Sequence, residues 1–268
     1  MPAFFKPHLV QLLIALFCHF YACAQPDADE LAKQLQNPVA SLISVPLQGN
    51  FDYGIGPADG TRTTINIQPV IPISISENWN LVGRVILPII LQSDVIEENN
   101  SQSGLSDAVV SAFFSPKSPT KGGIIWGTGP VLLVPTATDN LLGTEKFGLG
   151  PTAVALSQIG DYTIGALVNH IWSVAGDENR SDVNSTFFQP FLARNFTGGY
   201  ALSFNTEISQ NWEADATSGF LNVVGSKVFS IGKQLSQVAL GPQIPYGDGN
   251  EAEFGFRAAF VLLFPTGG

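Results

Sequence analysis

His170 and Ser173 are three residues apart, and they are the base and nucleophile types of a hydrolase. That chemistry needs the imidazole within hydrogen-bond reach of the hydroxyl, with a third group to orient it. In a segment of period-two alternation, residues three apart point to opposite faces. Asn169 and Ser173 therefore share a face that His170 does not. No Gly-x-Ser-x-Gly elbow occurs, so the chain reads as a non-enzyme. Zinc-ligand spacing, a P-loop and a dinucleotide fingerprint are likewise missing, and Gly127–Gly129 is an isolated Gly-x-Gly. Neither metal nor cofactor is expected. A second group has more to offer. Gln48, Asn50, Asp52, Asn66, Gln68 and Arg84, then Asn205, Glu207, Gln237, Gln243 and Arg257, recur on the polar side of alternating segments, as do Ser44 and Ser209. Inside a closed sheet they would line a wet lumen, where they either meet a solute or pair with one another and fill the space. A charge on a lipid-facing wall costs about 2–4 kcal/mol near the midplane, so Arg84, Glu207 and Arg257 are expected to point inward.

The elements that would position them are strands. Ile43, Val45, Leu47, Phe51 and Tyr53 alternate with Ser44, Gln48, Asn50 and Asp52. Ile65, Ile67, Ile71, Ile73 and Ile75 alternate with Thr64, Asn66, Gln68 and Ser74. Such alternation makes a sheet with one apolar and one polar face. Strands are expected near 40–54, 61–75, 79–91, 104–115, 122–134, 147–158, 161–173, 183–195, 199–210, 219–229, 234–245 and 252–264, about twelve in all. Their connections alternate. Long acidic ones, such as Gln92–Ser103, Pro135–Lys146 and Val174–Asp182, are followed by short ones, such as Ser76-Glu77-Asn78 and Ile159-Gly160-Asp161. Long outer loops and short periplasmic turns are the asymmetry of an outer-membrane barrel. Within Pro135–Lys146, Thr136, Thr138, Asp139 and Glu145 are the candidate residues of the outer mouth.

Composition agrees. The 268 residues are 13% charged, with 27 Gly and 18 Pro, and carry a formal net charge of −10. This is too apolar for disorder and too acidic for a nucleic-acid binder. Residues 1–24 read as a signal peptide: Lys6, an apolar run from Leu9 to Phe20, and Ala22-Cys23-Ala24 as the cleavage site. Cys18 and Cys23 both fall within it, leaving the mature chain no thiol chemistry. Residues 25–39 hold the one credible helix, Asp27–Gln36, as a periplasmic stub or a plug in the barrel mouth. Residues 40–268 are expected to form the barrel.

Three further features bear on closure. Phe254, Phe256, Ala258, Phe260, Leu262 and Phe264 share one face of the last strand, against Gly255, Arg257 and Ala259. This resembles the terminal strand by which the outer-membrane assembly machinery recognises barrels, departing from it in the tail at 265–268. Trp79, Tyr162, Trp172, Tyr200, Trp212 and Tyr246 fall near strand ends, where interfacial girdles belong. Pro46, Pro69, Pro72, Pro88, Pro130, Pro190 and Pro242 fall inside strands, so bulges or local breaks are expected there.

Segments 37–54 (NPVASLISVPLQGNFDYG), 66–90 (NIQPVIPISISENWNLVGRVILPII), 129–151 (GPVLLVPTATDNLLGTEKFGLGP) and 170–178 (HIWSVAGDE) resemble a bacterial family of outer-membrane transporters linked to the meta-pathway of phenol degradation. The resemblance implies a monomeric barrel with a transport role and supplies no catalytic residues. The combined expectation is all-β: a closed antiparallel up-and-down transmembrane β-barrel of about 12 strands with a short N-terminal helix. It would lie in the cell outer membrane, contact membrane lipid and lipopolysaccharide, and pass small molecules, aromatic or hydrophobic ones among them. The alternatives are a soluble secreted β-sandwich that binds a ligand and an outer-membrane lipid-modifying enzyme.

Overall fold

Strict period-two alternation leaves each strand with one apolar face, and a sheet in lipid must close so that no backbone edge is left unpaired. The computed structural model describes residues 27–265 and shows that closure. The signal peptide expected over residues 1–24 lies outside the described residues. Helix α1 (Asp27–Gln34) precedes β1 (Leu42–Ile55), β2 (Gly60–Ile67), β3 (Val70–Ser74), β4 (Trp79–Ser93), β5 (Ser101–Leu105), β6 (Ala108–Pro116) and β7 (Ile124–Val134). Then follow β8 (Lys146–Ile159), β9 (Tyr162–Gly176), β10 (Asn184–Phe196), β11 (Tyr200–Asn211), β12 (Ala216–Ile231), β13 (Gln234–Tyr246) and β14 (Phe254–Pro265). Each strand pairs antiparallel with its neighbours, and β14 pairs with β1 from Leu42↔Pro265 to Tyr53↔Phe254. β2 with β3, and β5 with β6, are halves of single staves, so the ring is a closed 12-strand barrel. The fourth stave starts earlier than its sequence suggests: Ser101–Ser103, expected in a loop, pairs with Leu91–Ser93.

The prolines act mostly as gaps in the ladder rather than as bulges, because a missing N–H removes one bond without adding a residue. β2 and β3 part at Gln68-Pro69, whereas pairing runs unbroken through Pro72↔Val82. Opposite Pro88 the partner stave breaks at Ser106-Asp107 and takes in one extra residue, a bulge that switches which of its side chains face inward. The register shifts beside Tyr53 and Phe147 are bulges away from any predicted proline. Three of the four Gly-Pro pairs lie inside strands, at 129–130, 150–151 and 241–242. A Cβ on Gly129, Gly150 or Gly241 would lie 1.9, 1.7 or 1.8 Å from the carbonyl oxygen of Ala112, His170 or Val223. The neighbouring backbone thus closes directly over each glycine, which no other residue allows.

The outer face is apolar, with Ile71, Ile73, Leu91, Leu132, Ile164, Leu192, Phe204 and Ile244 exposed. Aromatic rings bracket it. Trp79, Tyr162, Phe196, Tyr200 and Phe264 lie at the short-turn end, and Tyr53, Trp172, Trp212, Tyr246 and Phe254 at the long-loop end. At about 3.3 Å per residue and a tilt of about 40°, Tyr162 and Trp172 stand about 25 Å apart along the axis, the height of a bilayer's apolar band.

The inner face departs from the all-polar expectation. On β6 to β9 it carries Val109, Phe113, Val131, Leu133, Val154, Leu156, Leu167 and Ile171, most of them buried. The reason is what fills the barrel. Val39 packs in one cluster with Val82, Phe113, Val154, Leu156 and Leu167. α1 turns Ala28, Leu31 and Ala32 onto Leu42, Val228, Val261 and Leu263. The described segment before β1, residues 27–41, is therefore folded inside the ring at the short-turn mouth. Asp29 accepts a 2.6 Å bond from the Gly199 amide, and Gln158 donates to the Lys33 carbonyl. An inserted apolar segment needs apolar wall, and β6 to β9 supply it.

Candidate functional site

Above the inserted segment the barrel holds a cavity of about 1010 Å³. Gln34, Leu35, Asn37 and Pro38 lie at one end, and Gly143, Thr144, Asn179–Asn184 and Asn211 at the other. Gln48, Asn50, Asn66, Gln68, Arg84, Asn205, Glu207, Gln237 and Arg257 all line it. Asp52 and Gln243 are buried, at 7% and 1% exposure. They belong to a polar row that crosses eight strands in register: Asn205↔Asn222↔Gln243↔Gly255↔Asp52↔Arg62↔Gln92↔Gln102. Along it Asn222 donates to Asn205, Arg62 to Gln92 at 2.8 Å, and Gln92 to Gln102 at 2.8 Å. Such bonds offset the cost of burying the groups that make them, whereas Asp52 Oδ1, Asn222 Oδ1 and Gln243 Oε1 are buried without a hydrogen-bond partner among the described residues.

One pair crosses the lumen. Arg257 on β14 donates through Nη1 and Nη2 to the two carboxylate oxygens of Glu207 on β11, at 2.8 and 2.9 Å. β12 and β13 lie between these strands, so the bond is a chord across the interior and not a contact along the wall. Asn50 accepts from Arg257 Nε at 2.8 Å, and Gln189 Nε2 donates to Glu207 at 3.2 Å. A bidentate guanidinium–carboxylate fork is planar and directional, so it fixes the width of the passage beside it. On the opposite wall Arg84 donates to Gln68 at 2.9 Å.

At the long-loop end, Pro135–Lys146 folds against the broken fourth stave. Thr136 Oγ1 donates to the Ser106 carbonyl and accepts from the Ala108 amide, and Thr138 Oγ1 accepts from the Leu105 amide. Asp107 accepts from the amides of Ala137 and Thr144 and from the Thr144 hydroxyl. Asp139 holds its own turn through the Leu141 amide. Glu145 has a positive φ of 57°, and its carbonyl accepts from the Asp177 amide. These loop residues thus brace the loop itself. Arg180 donates to the carbonyls of Asn140 and Gly143, tying the next loop down. Asp182 accepts from buried Lys146 at 2.9 Å and from Ser173 at 3.0 Å. Those two donors hold the Asp182 carboxyl below the usual carboxylate range. A depressed value means that the link contributes above the ordinary carboxylate pKa and is lost as pH falls through the folded one. The 174–183 loop is therefore expected to keep its protection from pH 7 down to about pH 5. Asp182→Asn is expected to speed its amide exchange at pH 7 without altering the strands, as measured by hydrogen–deuterium exchange.

His170 and Ser173 sit on opposite faces. His170 points outward, its ring centroid 4.0 Å from that of Trp172 at a 50° tilt and its Nδ1 bonded to Thr186, while Ser173 points inward to Asp182. They form no nucleophile–base pair. Asp107, Gln189 and Arg180 did not stand out in the sequence. Gln189 alternates with Phe187 and Phe191, inward residues whose aromaticity hides the polar face.

The fold has solved relatives in shape. A crystal structure of an outer-membrane channel from Pseudomonas putida F1 superposes with a TM-score of 0.67 at 16% identity, covering 84% of this chain and 96% of that one. The β domain of the Bordetella autotransporter BrkA gives 0.47 at 12%, covering 84% and 100%. Outer membrane phospholipase A from Escherichia coli gives 0.47 at 11%, covering 84% and 98%. Neither a protein-family model nor a curated protein matches the chain. The fold is that of an outer-membrane β-barrel.

Proposed function

We propose that the chain is a passive outer-membrane channel for small solutes, a monomer with its long loops toward the lipopolysaccharide leaflet. The observation that carries this is the interior: a cavity of about 1010 Å³, walled by polar side chains on one side and apolar ones on the other. A barrel that served only as a membrane anchor would have no need of such a space. The sequence resemblance to transporters linked to phenol degradation supports passage of aromatic or hydrophobic molecules, which the apolar wall of β6 to β9 would accept. Reconstituted in planar bilayers, the protein is expected to give discrete conductance steps and to admit small neutral solutes in vesicle-swelling measurements. Silence in both would overturn the channel reading.

A further inference from the structure

Among the charged groups lining the cavity, Arg84, Arg180 and Arg257 face Asp182 and Glu207, a surplus of one cation inside a chain whose net charge is −10. Among the described residues Arg257 pairs with Glu207 and Lys146 with Asp182. Both oxygens of Glu207 are committed to Arg257. Arg62, the inward arginine of β2, has Asp52 opposite it in register. Among the described residues Arg84 has no carboxylate within ion-pair distance; its hydrogen-bond partner is the neutral Gln68, and the one carboxylate whose field reaches it is Glu207, already held by Arg257. Apart from Gln68 and Ser111, the side chains flanking Arg84 are apolar. Val70 and Ser111 flank it across the sheet, Val82 and Ile86 along β4, and Phe113 and Val109 lie on either side of Ser111. A guanidinium presents five N–H donors, and a charge in such a setting is costly without a counter-ion.

We propose that Arg84 is the anion-binding residue of a site within the barrel that takes a monocarboxylate with an apolar body. The carboxylate completes the guanidinium fork beside Gln68. The body lies against Val70, Ile86, Val109 and Phe113, which offer nothing to the hydroxyls of a sugar phosphate. The acids of the rim do not oppose this, since Asp182 is the one loop acid lining the cavity and Lys146 neutralises it. The proposal names a solute class for the channel reading and rests on that reading only for the solute's route. Binding is measurable without it.

The test is equilibrium dialysis of the detergent-purified full chain against labelled hexanoate, hexan-1-ol and hexylammonium. A charge-assisted pair favours hexanoate by about tenfold over the alcohol. Arg84→Gln, checked for folding by heat-dependent gel mobility, is expected to abolish that preference. Equal retention of hexanoate and hexan-1-ol by the wild-type protein overturns the site without recourse to any variant. So does an Arg84→Gln protein that folds and binds hexanoate as the wild type does. A protein that conducts yet ignores hexanoate loses this site and keeps the channel. One that binds hexanoate through Arg84 without conducting loses the channel and keeps the site.

Discussion

Glu207→Leu is expected to lower the barrel's unfolding free energy by about 3 kcal/mol, because it strands the Arg257 guanidinium inside the wall. The side chain of Arg257 is 7% exposed and that of Glu207 21%, so the arginine is the partner that suffers. With Glu207 gone, Asn50 remains its one acceptor, a neutral group facing a full charge. Partial access of Glu207 to the cavity places the cost at the lower end of the range for broken buried pairs, about 3–5 kcal/mol. The double change Glu207→Leu with Arg257→Met removes both charges and is expected to recover most of the loss, since two apolar side chains leave no unpaired charge. Urea unfolding of protein inserted in lipid vesicles measures both variants against the wild type. If the single change leaves stability untouched, water in the lumen already solvates the pair, and the chord has no structural weight.

The ring itself was legible from residue spacing, for a physical reason. A strand in lipid has only one apolar side, so Phe254 to Phe264 against Gly255 to Ala259 could be assigned to outside and inside with no neighbour in view. The same rule places Arg84, Glu207 and Arg257 on the lumen side, where all three line the cavity. It says nothing about who pairs with whom. Glu207 and Arg257 are 50 residues apart, and their contact depends on barrel curvature, which period-two spacing does not encode. The rule also fails where the interior is occupied. On β10, Phe187 and Phe191 face inward while Phe188 and Leu192 face outward, so both sides of the strand read as lipid. Gln189 is hidden between them. Asp107 escaped for another reason: the extra residue at Ser106-Asp107 resets alternation partway along a stave, so counting by twos from Gln102 places Asp107 on the wrong side.

The inserted N-terminal segment is where the largest functional change is expected. α1 has eight residues, too few to persist as a helix in water. Its place depends on Ala28, Leu31 and Ala32 being buried at 6%, 5% and 0% exposure against Leu42, Val228, Val261 and Leu263. Burying a leucine contributes about 2 kcal/mol, and replacing it with a carboxylate adds the cost of an unpaired charge. Leu31→Glu is therefore expected to expel α1 from the barrel. The wall does not depend on it, because β1 and β14 close the ring by their own twelve register pairs. Single-channel conductance should rise severalfold while the folded gel mobility stays that of the wild type, and limited proteolysis should begin to cut between Asp27 and Ala40. Deleting residues 27–37 should give the same conductance as Leu31→Glu, because both empty the same mouth. Unchanged conductance in the two variants would mean that the inserted segment does not obstruct the path, and that the narrowest point lies at the Glu207–Arg257 chord.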